Sequence, residues 1–226
     1  SDLNILLNCN VHLQDCCIKF SGNSCINGRG YCLTIDDSCS IIVDSASELW
    51  FKNVTLKNIN GNKLDGVDSS STYAFSRATI VMDGNTTFTE GKLNILDTTK
   101  IIGDGFSFEY QTDGVSTVSS CGKLILDVGV TFDYDPSIDS NDLLVLDDMA
   151  EICLNSATIH ASTAGLQLTK GTLTIDGQSF LTNDGATAAD GFQFGDGVSA
   201  ANNVCIEFLP AGSLELLSGV LTYDNV

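Results

Sequence analysis

The stretch Gly122-Lys123-Leu124-Ile125-Leu126-Asp127-Val128-Gly129-Val130-Thr131-Phe132-Asp133-Tyr134 decides the fold class. Leu124 and Leu126 stand two apart, as on one face of a short strand, Asp127 follows, and Phe132 comes eight residues after Leu124. Alternation of this length marks a half-buried strand. Asp, Asn or Gly between two such strands bonds the local backbone or takes unusual dihedrals, so the chain turns a corner without a hairpin.

The same plan recurs outward in both directions. Leu33-Ile35-Asp36 is followed by Ile41, Ile80-Met82-Asp83 by Phe88, and Leu93-Ile95 by Ile101. Ile152-Leu154-Asn155 is followed by Ile159, and Leu173-Ile175-Asp176 by Phe180. Leu49-Phe51 with Leu56 and Leu214-Leu216 with Leu221 keep the spacing without the acidic corner. Gly91, Gly122, Gly171 and Gly212 each open such a window. Short strands around corners, repeated with variable connections, predict a β-solenoid. At about 20 to 28 residues per coil and about 4.8 Å per coil, the chain gives eight to eleven coils and a rod on the order of 40–50 Å.

A longer echo joins residues 91–134 to 171–223. Gly91-Lys-Leu93 matches Gly171-Thr-Leu173, and Asp104-Gly-Phe-Ser-Phe108 matches Asp190-Gly-Phe-Gln-Phe194. Asp113-Gly-Val-Ser116 matches Asp196-Gly-Val-Ser199, Cys121 matches Cys205, and Phe132-Asp-Tyr134 matches Leu221-Thr-Tyr223. The order is kept while the gaps drift. A sandwich would show two-residue hairpin turns every 8–12 residues, and Asn-Gly is rare here, as at Asn27-Gly28 and Asn60-Gly61.

This pattern, with phrases such as Asn53-Val-Thr-Leu56 and Asn155-Ser-Ala-Thr-Ile159, resembles the right-handed parallel β-helix, or pectin-lyase-like, superfamily of secreted and surface proteins. The resemblance spans nearly the whole chain and is one of pattern, with no diagnostic catalytic motif. The expected fold is therefore all-β: a single-stranded right-handed parallel β-helix with irregular coils and variable loops, forming one domain over residues 1–226.

Composition agrees. Gly 21, Ser 23, Thr 20 and Asn 17 dominate, while Glu, Lys, Arg, Gln and Met together fill 23 positions, too few for a helical protein. Ten basic against 29 acidic residues leave a net charge of −19, and Arg29 and Arg77 are the two arginines, which argues against nucleic acid. The longest apolar runs, Ile5–Leu7 and Leu143–Leu146, are strand-sized, so membrane insertion is not expected. With no initiator Met and no basic segment before an apolar stretch, the chain reads as a processed product or a fragment of a longer protein.

Nine cysteines point to an oxidising, extracellular or cell-surface setting. Cys9, Cys16, Cys17, Cys25, Cys32 and Cys39, in the Cys-rich N-terminal coils over 1–45, are the disulfide candidates, with buried free thiols as the alternative. No CxxC pair supports a zinc or redox-motif reading. Asn53-Val-Thr55 and Asn85-Thr-Thr87 fit the glycosylation pattern, which chance also supplies in so Asn- and Thr-rich a chain.

The sequence gives no enzymatic constellation. His12 and His160 are the two histidines, and GxSxG, HExxH, Walker and GxGxxG patterns do not occur. The Asn-Thr-Asp, His-Gly and Arg-x-Lys elements of polygalacturonase-like relatives are missing as well. With 23 Asp, pairs such as Asp36-Asp37 and Asp147-Asp148 arise readily by chance. The single cofactor considered is Ca²⁺, on the acidic stretch containing Asp133, Asp135, Asp139 and Asp142. That stretch fails the EF-hand pattern, with Ile138 where Gly is required and Leu144 where Glu is required. Phe106, Phe108, Phe192 and Phe194 read as core aromatics, and Trp50 as an outward contact.

The expected function is a non-enzymatic structural module of an extracellular or cell-surface assembly. Copies of the chain would stack end to end into a filament, with Val220, Leu221 and Tyr223 at the open end. The alternatives are an adhesin or receptor-binding spike, presenting residues 60–77 and 183–203 to a glycan or cell-surface protein, and a polysaccharide lyase or hydrolase.

Overall fold

The computed structural model describes residues 2–226, and among them there is no helix. Twenty-five strands, all pairing in parallel, wind into a β-solenoid of about 8 turns. Each turn carries three short strands separated by corners, as the alternating apolar pairs predict.

One ladder stacks Asn4–Leu6, Asn23–Asn27, the first parts of Glu48–Gly61 and Thr72–Phe88, then Lys92–Ile95, Ser116–Val118 and Leu144–Leu146. Beyond it on the same face, Leu166–Leu168, Phe192–Gly195 and Leu221–Asp224 form a separate three-stranded ladder. A second ladder runs from Val11–Leu13 and Cys32–Ile35 through the middle of the two long strands. It goes on to Thr98–Ile102, Lys123–Leu126, Glu151–Asn155, Thr172–Asp176 and Cys205–Phe208.

The third face changes along the rod. At the N-terminal end it is a separate ladder of Cys17–Phe20, Ser40–Val43 and Leu64–Gly66. Farther on it comprises the end of Thr72–Phe88, Ser107–Tyr110, Thr131–Tyr134, Thr158–Ala161, Gln178–Asn183 and Ser213–Ser218. Glu48–Gly61 and Thr72–Phe88 bend around corners without breaking, where Asn53, Asn58 and Arg77 take left-handed φ of 46°, 59° and 53°. Asn tolerates this conformation better than most residues because its short side chain bonds locally. Asn53 and Asn85 of the glycosylation patterns are both exposed.

The apolar residue of each alternating pair points inward and meets its counterpart one coil away. Phe88, Phe108 and Phe132 form a stack with ring centroids 6.5 and 5.9 Å apart, and Tyr110 stacks on Tyr134 at 5.5 Å. Phe51 and Phe75 stack at 5.5 Å in an earlier part of the core. Buried phenols need partners. Tyr73 donates to the Ile41 and Asp65 carbonyls at 2.6 Å, and Tyr110 to the Gly114 carbonyl at 2.5 Å. Burial pushes the Tyr110 hydroxyl pKa up to about 12 and raises that of Tyr73 further.

Three sequence expectations are corrected. Leu173 and Ile175 are buried, but their partner is Leu181; Phe180 faces outward on Thr158. The corner after Ile175 holds one residue more than the Leu154-to-Ile159 corner below it, with Gly177 at φ 77°. A Cβ on Gly177 would lie 2.2 Å from Ser156 Oγ, so only glycine makes this turn. Second, residues 60–77 are not a free contact loop: they include Leu64–Gly66 and the buried Tyr73, Ala74 and Phe75. Third, the echo between 91–134 and 171–223 shifts faces. Lys92–Ile95 lies in the first ladder, whereas Thr172–Asp176 lies in the second. The echo repeats corner chemistry rather than position on the coil.

Candidate functional surfaces

The strands of the first and last described coils each have one edge with no pairing partner among the described residues. In the first coil, Leu3, Ile5, Val11, Leu13, Ile18 and Phe20 line an apolar recess of about 180 Å³. In the last coils, Phe208, Leu217 and Tyr223 are 55, 57 and 52% exposed, with Leu216 and Leu221 also exposed and Val220 half-buried. Phe208, Leu221 and Tyr223 lie over the buried Ile175, Phe192 and Phe194, while Leu217 is an unpaired bulge residue. Ile206 lies over Leu173, and Leu216 over Leu181. Both ends are therefore apolar and carry strand edges. Val220, Leu221 and Tyr223 lie in the last described coil.

The carboxylates considered for Ca²⁺ do not converge. Asp133 faces outward from Thr131–Tyr134 and accepts from His160 Nδ1 at 2.6 Å, while Asp142 accepts from Ser140 Oγ at 2.5 Å. Asp135 and Asp139 border a surface recess with Asp190. Among the described residues no group of three or more His, Cys, Asp or Glu is arranged to hold a metal.

His160 is the residue that the sequence reading left without a role. It stacks above Asp133 on the third face, and its Nε2 lies 3.4 Å from Asp184. Burial alone lowers a histidine pKa, but the bonds to Asp133 and Asp184 outweigh it and raise it. The pair thus straps three coils. With both ring nitrogens facing carboxylates, the imidazole has no hydroxyl or thiol to activate among the described hydrogen bonds. His12 likewise faces Asp36, at 2.5 Å on the exposed second face.

A pH prediction follows. Because the folded-state pKa of His160 lies above its ordinary 6.5, the strap is fully present below about pH 6.5 and is lost as pH rises through the folded value. Asp133→Asn should unfold at a lower temperature than the parent at pH 6, and the difference should shrink by pH 9. A difference that is constant across this range would show that His160 is not the titrating partner.

The aromatic expectations divide. Phe108, Phe192 and Phe194 are fully buried, and Phe106 is partly buried at a corner. Trp50 faces outward, with Lys52 Nζ 4.3 Å from its ring centre. Beside the last coils, Gln167, Gln193, Asp196, Thr222 and Asp224 border a polar recess of about 200 Å³ under Ala188 and Ala189. Gln193 Nε2 donates to both of those carbonyls at 3.0 Å, which ties residues 183–191 to the sheet.

All nine cysteines are free thiols. Alternation separates them: Cys17, Cys25 and Cys32 sit at outward or half-covered strand positions facing Ser40, Trp50 and Thr55 across the ladders. Cys9 is exposed between strands. Cys16 and Cys39 turn inward, one above the other.

No protein-family model, curated protein or solved structure matches this chain.

Proposed function

We propose that this chain is a non-enzymatic structural module of an extracellular or cell-surface assembly, joining copies of itself end to end. Kinship with the pectin-lyase-like superfamily, and the right-handed coil that goes with it, belong to the same proposal. The observation that carries it is the pair of apolar coil ends, each with unpaired strand edges. Stacking would continue all three ladders across the junction and cover Phe208, Leu216 and Tyr223 with the Leu3, Ile5 and Val11 surface. Two different surfaces meet in such a contact, so it propagates rather than closes. The histidines support the non-enzymatic reading, because each is engaged with carboxylates rather than with a nucleophile.

Sedimentation velocity with electron microscopy is the test. The net charge of −19 opposes stacking at low ionic strength. Rods should therefore lengthen with protein concentration and with salt, since the screening length falls to about 8 Å at 0.15 M. Phe208→Glu, over the buried Ile175, places a charge in the junction and should leave a monomer. A parent protein that stays a monodisperse monomer at high concentration and high salt would overturn the proposal.

A second reading, recognition of a glycan by an adhesin-like surface, draws on the recess around Gln167 and Gln193. Its side-chain amides and carboxylates suit hydrogen bonding to sugar hydroxyls. A glycan array would register it whatever the oligomeric state.

A further inference from the structure

We propose that Cys16 and Cys39 form a site of thiol–disulfide exchange, converting to an inter-coil disulfide on contact with a small-molecule disulfide such as oxidised glutathione. The inference stands apart from end-to-end stacking, because it concerns two residues of one chain.

Placement comes first. Cys17 is in register with Ser40 on the N-terminal third-face ladder, so Cys16 lies directly beneath Cys39. The Ser40 amide donates to the Cys16 carbonyl at 3.2 Å, which fixes that register up to the cysteines themselves. Neighbours in register on parallel strands lie about 4.8 Å apart, inside the roughly 4.4–6.8 Å Cα range that a disulfide spans. Both side chains turn the same way. Their sulfurs are 3.5 Å apart, and the Cys16 amide donates to Cys39 Sγ at 3.2 Å. Rotation about the Cα–Cβ bonds has only to bring the sulfurs to about 2.05 Å, with no backbone shift.

No other thiol has this arrangement. Among the described residues, Cys16 and Cys39 are the only two cysteines whose sulfurs are in contact. Cys17, next in sequence to Cys16, points to the opposite face and accepts a hydrogen bond from Ser40 Oγ at 3.2 Å.

Accessibility orders the chemistry. Cys16 is half-buried and reachable, whereas Cys39 is 3% exposed. The Cys16 thiolate attacks one sulfur of the small disulfide, forming a mixed disulfide and releasing one thiolate, which takes up the proton that Cys16 lost. The Cys39 thiolate then attacks the Cys16 sulfur, the new S–S bond forms, and the second small thiol leaves with the Cys39 proton. Two protein thiols and one small disulfide become one protein disulfide and two small thiols. The bond ties the first described coil to the second.

The test uses the folded full chain, treated with oxidised glutathione and then digested for peptide mapping by mass spectrometry. A Cys16–Cys39 crosslink within one chain should appear, distinct from glutathione adducts on the exposed Cys9, Cys17, Cys121 and Cys205. Cys17→Ser should retain the link, while Cys16→Ser and Cys39→Ala should abolish it. Hydrogen exchange should slow by roughly a hundredfold within the closed loop, in Cys17–Phe20, Asn23–Asn27 and Cys32–Ile35, and stay unchanged in Thr158–Ala161. A Cys16–Cys17 link, a stable glutathione adduct on Cys16, or a link between two chains would each overturn the assignment. None of these outcomes depends on whether the rods stack.

Discussion

Phe132→Ala is expected to lower the unfolding free energy by about 3–5 kcal/mol, the range for truncating a large buried aromatic. Phe132 is 2% exposed and lies in the continuous stack of the third face. Its ring is 5.9 Å from Phe108 and 5° from parallel to it, with Tyr110 6.0 Å away. Removing it leaves a cavity between Phe108 below and Ile159 above, and neither can move inward without leaving its own ladder register. Urea titration followed by circular dichroism would measure the loss. Val128→Ala, at an exposed corner of the same coil, should change stability by less than about 0.5 kcal/mol. Because each coil touches only its neighbours, the damage should also be local. Hydrogen exchange should accelerate in Ser107–Tyr110 and Thr158–Ala161 well before Cys32–Ile35. Equal acceleration along the whole rod would mean that the coils unfold as a single unit.

The coil itself was legible because its signal is local. Leu124, Leu126 and Phe132 are inward, as their spacing predicts, and so are Ile152, Leu154 and Ile159. Alternation fixes which face of a strand is buried without reference to any distant residue. What spacing alone does not fix is phase. The same two-apart pair marks the first face at Leu93 and Ile95 and the second face at Leu124 and Leu126, because coils differ in length at their corners. One extra residue at Gly177 was enough to exchange the roles of Phe180 and Leu181.

The functional surfaces were legible only where they depend on the order of coils rather than on their exact length. Leu221 and Tyr223 follow from lying in the last coil. The His160–Asp133 strap and the Cys16–Cys39 pair were not foreseen, since each joins residues a full coil apart. The period was nevertheless present in the sequence. Cys16–Cys39, Asp15–Ser38, Ser21–Asp44, Ser45–Asp68 and Asn60–Asp83 are all separated by 23 residues. A search for polar pairs at that separation would have found the N-terminal ladders. It would have missed His160 and Asp133, 27 residues apart, because the coils there are longer.

Lys63→Met is the other substitution expected to act strongly, for a reason that hydropathy does not reveal. The Lys63 side chain is 5% exposed, and its ammonium donates to the Asn58 carbonyl at 2.7 Å, the Ile35 carbonyl at 3.1 Å and Asp37 at 2.9 Å. It closes the corner between Glu48–Gly61 and Leu64–Gly66, next to Ile35 and Asn58, which lie just past Thr34 and Lys57, the last residues paired between Cys32–Ile35 and Glu48–Gly61. Methionine fills the same channel with no donor. Each buried acceptor left without a partner costs about 1–3 kcal/mol, so the variant should lose about 2–6 kcal/mol. Asp37 is 86% exposed and keeps its hydration, so Asp37→Asn should be nearly neutral and separates the two contributions. The carboxylate supplies a second readout. The Lys63 hydrogen bond, then Asn60 and the Lys63 charge, hold the Asp37 pKa below its ordinary 3.8. In Lys63→Met that pKa should rise toward the ordinary value in an NMR titration. The acid sensitivity of this corner runs in a definite direction: its stabilising interaction is present above about pH 3.8 and fades as pH falls through the folded-state value. A variant as stable as the parent, with Asp37 titrating unchanged, would show that Lys63 is merely packed in the corner and does not hold it closed.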